Sequence, residues 1–372
     1  MERYISYNNR RSLYAEMMRR KRRNDTIENA WNMLKYLYDE LKSKRFKNID
    51  LTDIETLDDL YALVITMWCA SLAKEGLYKE YVEHENEELD SPKGAINIAE
   101  SLVQQTRTRG TLLCSYDELS EDIYLNHILK GTIQYLIYDN SINDIVKTKA
   151  KKAMQMFNGI GYVDINTISW KKVRFNNSNI RYKHPIELCK TLLTERKLVK
   201  TLGITDDDRM YILFKKQILK YYKEEYSLNG DIVEDIETPY VNKDADTIFE
   251  QKITDRQHIV TIRDDKSALV ILVKMQSDNV IRDNTLCKAN LNELVGYIRE
   301  FKKSNKMRVS GTIIYVNTNK KRLNLQPITV NNIKGFMIGE QTIDLHDQWR
   351  FIKLKLDDAY KMFITRFKNK TT

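Results

Sequence analysis

Glycine and proline are scarce, with 12 and 4 in 372 residues, which argues against a collagen-like, fibrous or disordered chain. There is no tandem repeat, low-complexity tract or glycine-rich phosphate loop, so no feature points to nucleotide binding by the chain itself. Four cysteines, Cys69, Cys114, Cys189 and Cys287, lie far apart, with no Cys-x-x-Cys and no histidine spaced to complete a zinc site. They are expected to be reduced core residues of a cytoplasmic protein. Long apolar runs are missing as well. The most apolar stretch, "LYALVITMWCASLA" from Leu60 to Ala73, is about two thirds of the roughly 20 residues that a bilayer span needs. No signal-like segment follows the basic N-terminus, so neither export nor a membrane is expected.

What is present is a charge-rich, helix-forming chain, 42% apolar and 30% charged, long enough for two or three domains with real cores. Its net charge of +9 is unevenly placed, since the first 23 residues alone carry +6. A broad DNA-binding face over the rest of the chain is therefore not indicated. The run Arg19, Arg20, Lys21, Arg22 and Arg23 reads either as a solvated tail or as a basic arm for a partner.

Three regions follow: a basic arm (1–24), an α-helical region (25–204) and an α/β domain (205–372). Asp25, with Glu28 three residues on, opens a helix carrying Ile27, Trp31, Leu34, Tyr38 and Leu41. Thr56 and Gly76 bracket a buried helix, and a further helix is expected over 91–106. "CSYDELSEDIYLNHILKGTIQYLI" reads as a polar lead-in and then a helix with Leu125, Ile128, Leu129, Ile133 and Leu136 on one face. Past Thr205 the pattern becomes helix, then the short strands "TIFEQKI", "HIVTIR" and "ALVILVKM", the helix "NLNELVGYIREFKK" and the strand "SGTIIYVN". That succession predicts a mixed α/β core of the PD-(D/E)xK restriction-endonuclease-like kind.

Several stretches also carry a family resemblance: "ENAWNMLKYLY", "KGAINIAESL", "CSYDELSEDIYLNHILKG", "VRFNNSNIRYKHPIELCKTLL" and "IKGFMIGEQTIDLHDQW". From about residue 25 to the C-terminus the chain resembles the McrC family of McrBC modification-dependent restriction systems, with Ala95 where an arginine is common. The resemblance implies a subunit that docks on a McrB-like AAA+ GTPase ring, with the α-helical region 25–204 as its partner-docking region, and stimulates GTP hydrolysis. It also implies a PD-(D/E)xK nuclease domain, with recognition of the modified DNA left to McrB. In such a complex the basic arm would reach into the ring, where cations stabilise the charge of hydrolysis.

The nuclease motif departs from that pattern. Registered through the shared "TIR" and the lysine, the two aspartates and one lysine of the family fall on Ile259, Leu272 and Lys274. Lys215 and Lys216 stand where relatives often have an acidic residue, and Glu293 with Tyr297 where they often have Gln and Tyr. Magnesium is a hard cation that needs oxygen ligands, and isoleucine and leucine offer none. The expected centre is degenerate, with no metal and no cofactor, and Ile259 and Leu272 completing an apolar strand pair. Asp246, Glu250 and Lys252 match the motif's letters. Only three residues separate the two carboxylates, so they would share one strand about 13 to 14 Å apart, with no room for a hairpin. Two other functions remain open: an Mg²⁺-dependent endonuclease with relocated ligands, and a DNA-binding structural module.

Overall fold

In a computed structural model of the chain, the described residues are 25–104, 106–226, 232–238, 257–263, 267–275, 288–304, 307–318, 329–333 and 336–367. Helix α1 covers residues 25–37. Ile27, Trp31 and Leu34 are buried along it, as their spacing requires, while Tyr38 and Leu41 are buried in and beside the 3-10 turn Asp39–Lys42 that follows. The Asn29 side-chain amide donates to the carbonyls of Leu345 (2.9 Å) and Asp347 (2.7 Å), and the Tyr36 hydroxyl to Glu225 (2.9 Å). These long-range bonds correct the expected division at residue 25. The described parts of Met1–Glu55 and Ile204–Thr372 form one unit, and Thr56–Gly203 forms the other.

The unit Thr56–Gly203 is built on α2 (Leu57–Glu75). Thr56 accepts from the Asp59 amide, and Gly76 ends the helix at φ +92°, as the sequence predicts. Next come β1 (Glu80–Leu89), β2 (Ala95–Ile96), α3 (Ile98–Val103) and β3 (Leu112–Ser120). The strands form an antiparallel sheet in the order β1-β3-β2. The helix expected over 91–106 shrinks to α3. Gly94 (φ +66°) lies so close to β3 that a Cβ there would sit 2.5 Å from the Ser115 carbonyl oxygen, and the chain bends into β2 instead. Helices α4 (Tyr124–Tyr138), α5 (Asp144–Met154) and α6 (Lys183–Leu202) pack with α2 around a core that includes buried Cys69 and Cys189. Arg196 ties three of them together. Its guanidinium donates to Asp58, the Tyr135 hydroxyl and Ser141 Oγ, each at 2.9 Å, and also to Asp139.

The other unit continues with α7 (Asp206–Tyr226), β4 (Ile232–Thr238), β5 (Gln257–Arg263), β6 (Ser267–Met275), α8 (Lys288–Ser304), β7 (Arg308–Asn317), β8 (Thr329–Ile333), β9 (Phe336–Asp344) and α9 (Trp349–Phe367). Among the described residues its six strands run β4-β5-β6-β7-β9-β8, with β6, β7 and β9 parallel and the other pairs antiparallel. This is the mixed α/β fold expected of the C-terminal half. Strand β6 is buried on both faces over eight of its nine residues, which is why it reads as a continuous apolar run. Helix α8 crosses between the parallel strands β6 and β7. Gly311 on β7 permits its approach, since a Cβ there would meet Leu294 and Ile298 below 3 Å. The β5–β6 ladder stops at Val260↔Ile271 while β5 stays paired to β4. Beyond it, the Tyr211 hydroxyl donates to the Val273 carbonyl at 3.1 Å.

Candidate functional site

Side chains two apart on a strand share a face, so Val270, Leu272 and Lys274 of β6 look toward one side of the sheet. There Leu272 joins Ile259, Leu294, Tyr297, Ile313 and Tyr315 in one buried apolar cluster. Ile259 is 1% exposed and Leu272 3%. One step past the last rung the same register would set them opposite each other. The aliphatic pair thus lies inside the core of the α8 face.

Lys274 is also buried, and its partner is on α8. Its Nζ sits 3.1 Å from Glu293 Oε2, an ion pair whose angles fall short of a hydrogen bond, and Tyr297 donates to Glu293 Oε1 at 3.4 Å. Tyr315, level with Lys274 on β7, takes a bond from Asn290 at 3.4 Å. The arrangement neutralises a lysine inside an apolar core. The Glu293 carboxylate beside Lys274 already faces a cation, and no group of three potential metal ligands occurs among the described residues. Half-buried Lys215 and exposed Lys216 on α7 add no oxygen ligand. The cluster Arg19, Arg20, Lys21, Arg22 and Arg23 and the trio Asp246, Glu250 and Lys252 lie outside the described residues.

A buried ion pair is costly to break from one side only. Glu293→Gln should destabilise this unit by about 3 kcal/mol by removing the carboxylate charge from beside a buried lysine, whereas Lys274→Met with Glu293→Leu should fall near the parent. Guanidinium titration of the three proteins checks both expectations.

A second feature escaped the sequence analysis. Strands β1 and β3 stand largely in solvent, with Tyr81 75% exposed opposite Leu119 at 51%. Ile98, Leu102 and Val103 of α3 are exposed too. Between Leu77 and Ile123 there are eleven acidic residues against Lys79, Lys93, Arg107 and Arg109. A strongly acidic sheet with apolar side chains on its surface suits a basic protein partner and disfavours nucleic acid. Its root is held by α4. Asn126 is fully buried and its amide donates to the carbonyls of Tyr78 (3.1 Å) and Glu121 (2.7 Å). Close by, Asp122 accepts from the Gly161 amide and meets His127 Nε2, both at 2.6 Å, which hold its carboxyl below the usual range. Asn126 falls within "YDELSEDIYLNHILK", so its position was legible and its contacts were not.

The family model described as "McrBC 5-methylcytosine restriction system component" matches residues 9–215, more than half of the chain. This chain belongs to the McrBC family. Among curated proteins it is similar to the type IV methyl-directed restriction enzyme EcoKMcrBC of Escherichia coli (strain K12), 22% identical over 353 residues, 91% of this chain and 98% of that one. Among solved structures it is similar to a chain in the tetradecameric assembly of Thermococcus gammatolerans McrB AAA+ hexamers with bound McrC. That match has a TM-score of 0.52 and 15% identity, over 87% of this chain and 71% of that chain. At that identity the likeness shows a shared fold. The McrBC match takes in the acidic sheet and its root, and ends within α7. No helix among the described residues is long and apolar enough to cross a membrane.

Proposed function

We propose that this chain is the McrC-type subunit of a cytoplasmic modification-dependent restriction or antiviral defence complex. It docks on a McrB-like AAA+ GTPase ring and stimulates GTP hydrolysis, and it meets DNA through the complex. The observation that carries this reading is the family match over residues 9–215, supported by near full-length similarity to EcoKMcrBC. The acidic sheet is the surface best suited to a protein ring, and the arm Arg19 to Arg23 supplies cations for the nucleotide side. The nuclease position is degenerate: Ile259 and Leu272 offer no oxygen, and Lys274 is engaged by Glu293. The cut therefore comes from another subunit or is not the output.

The test is reconstitution with a McrB-like AAA+ GTPase. Adding the full chain should raise GTP turnover, and removal of residues 1–23 should leave a folded protein that no longer does so. A full chain with no effect on turnover and no co-elution with the ring would refute the docking role. Unchanged stimulation by the truncated chain would return the arm to a solvated tail.

A further inference from the structure

The acidic sheet leaves the helical body as a bare ribbon. From Glu80↔Ser120 to His84↔Tyr116 only β1 and β3 are paired, because β2 joins no earlier than Ala95↔Ser115. The register then shifts between His84 and Glu87, where Asn86 takes φ +51°. Beyond the shift, buried Leu113, Cys114, Ser101 and Thr106 give the far end a small core of its own. An isolated two-stranded ribbon is marginally stable and twists freely, so its direction depends on what grips its root.

The grip is a small set of half-buried hydrogen bonds under the last rung, made by two buried side chains. The Asn126 amide spends both its hydrogens on the chain entering β1, at the Tyr78 carbonyl, and the chain leaving β3, at the Glu121 carbonyl. The Tyr78 amide in turn donates to the Tyr182 hydroxyl at 2.9 Å, from a ring that is itself fully buried. One side chain on α4 and one just before α6 thus fix both strands of the ribbon. The exposed pair Lys79–Glu121, at 3.4 Å, adds little beside them.

From this we infer that Asn126, assisted by Tyr182, is a positioning residue that sets the angle of the acidic sheet, and that a docked ring is stimulated only when this angle is held. The inference rests on the docking function proposed above, but its first test needs no partner. Spin labels at Ser91→Cys and Lys149→Cys, on a Cys287→Ser background, report the distance between the far end of the sheet and α5. The parent should give one narrow distribution. Asn126→Ala should broaden it severalfold, and Tyr182→Phe, which loses a single bond and serves if Asn126→Ala fails to fold, should broaden it less. With the GTPase ring, Asn126→Ala should bind within about threefold of the parent yet lose at least tenfold in stimulated turnover. A distribution as narrow as the parent's in both folded variants would overturn the clamp. Broadening with full stimulation would overturn its link to the ring, and failure of the parent itself to stimulate would count against the docking function instead.

Discussion

Ile259→Asp combined with Leu272→Asp should cost the sheet-bearing unit about 3 to 6 kcal/mol of lost burial, before any penalty for two like charges in an apolar core. Both residues are essentially inaccessible, so neither carboxylate could turn to water without displacing α8. The double variant should therefore unfold at a much lower temperature than the parent in metal-free buffer. Its two carboxylates would flank Lys274, and a cation bound only by the folded state stabilises it by mass action. Millimolar Mn²⁺ should restore several degrees to the variant and leave the parent unmoved, as read by scanning calorimetry. A folded double variant that gains nothing from Mn²⁺ would mean that the two side chains do not converge.

Arg196→Ala should lower the stability of the Thr56–Gly203 unit by about 3 to 5 kcal/mol, the range seen when one partner of a buried ion pair is removed. Two carboxylates, Asp58 and Asp139, lose their cation together, and α2, α4 and α6 lose their common tie. The same network has an acid signature. Burial alone would raise the Asp139 carboxyl, but bonds from Ser141 and the charge of Arg196 outweigh it and leave the group at about 2. A folded-state value below that of the unfolded chain, about 3.9, stabilises fully above roughly pH 4 and is lost as pH falls through about 2. Melts between pH 5 and 2 should show that loss in the parent and a smaller one in Asp139→Asn.

The fold was legible where hydrophobic period and capping agree. Thr56 and Gly76 bracket α2 as expected, and the continuous apolar runs of β6 and β7 with amphipathic α8 between them mark the α/β core. Strand β1 was not legible: "EYVEHENEEL" carries five glutamates, which weigh against a strand by propensity, and only its pairing to β3 makes it one. The same pairing puts the first part of the expected polar lead-in, Asp117 to Ser120, into strand β3. Lys274 and Glu293 were both singled out from sequence, yet their 3.1 Å contact depends on the rotation of α8 over the sheet, which no local pattern encodes. The root contacts of Asn126 are of the same kind, two backbone carbonyls brought together only by the tertiary fold.

The most direct test of the account is one reaction containing this chain, a McrB-like GTPase partner, GTP, Mg²⁺ and methylated supercoiled plasmid, followed for phosphate release and on a gel. A McrC-type subunit with a degenerate centre predicts accelerated GTP hydrolysis while the plasmid stays supercoiled. Plasmid cleavage by these two proteins that disappears in a folded Lys274→Ala variant would contradict it.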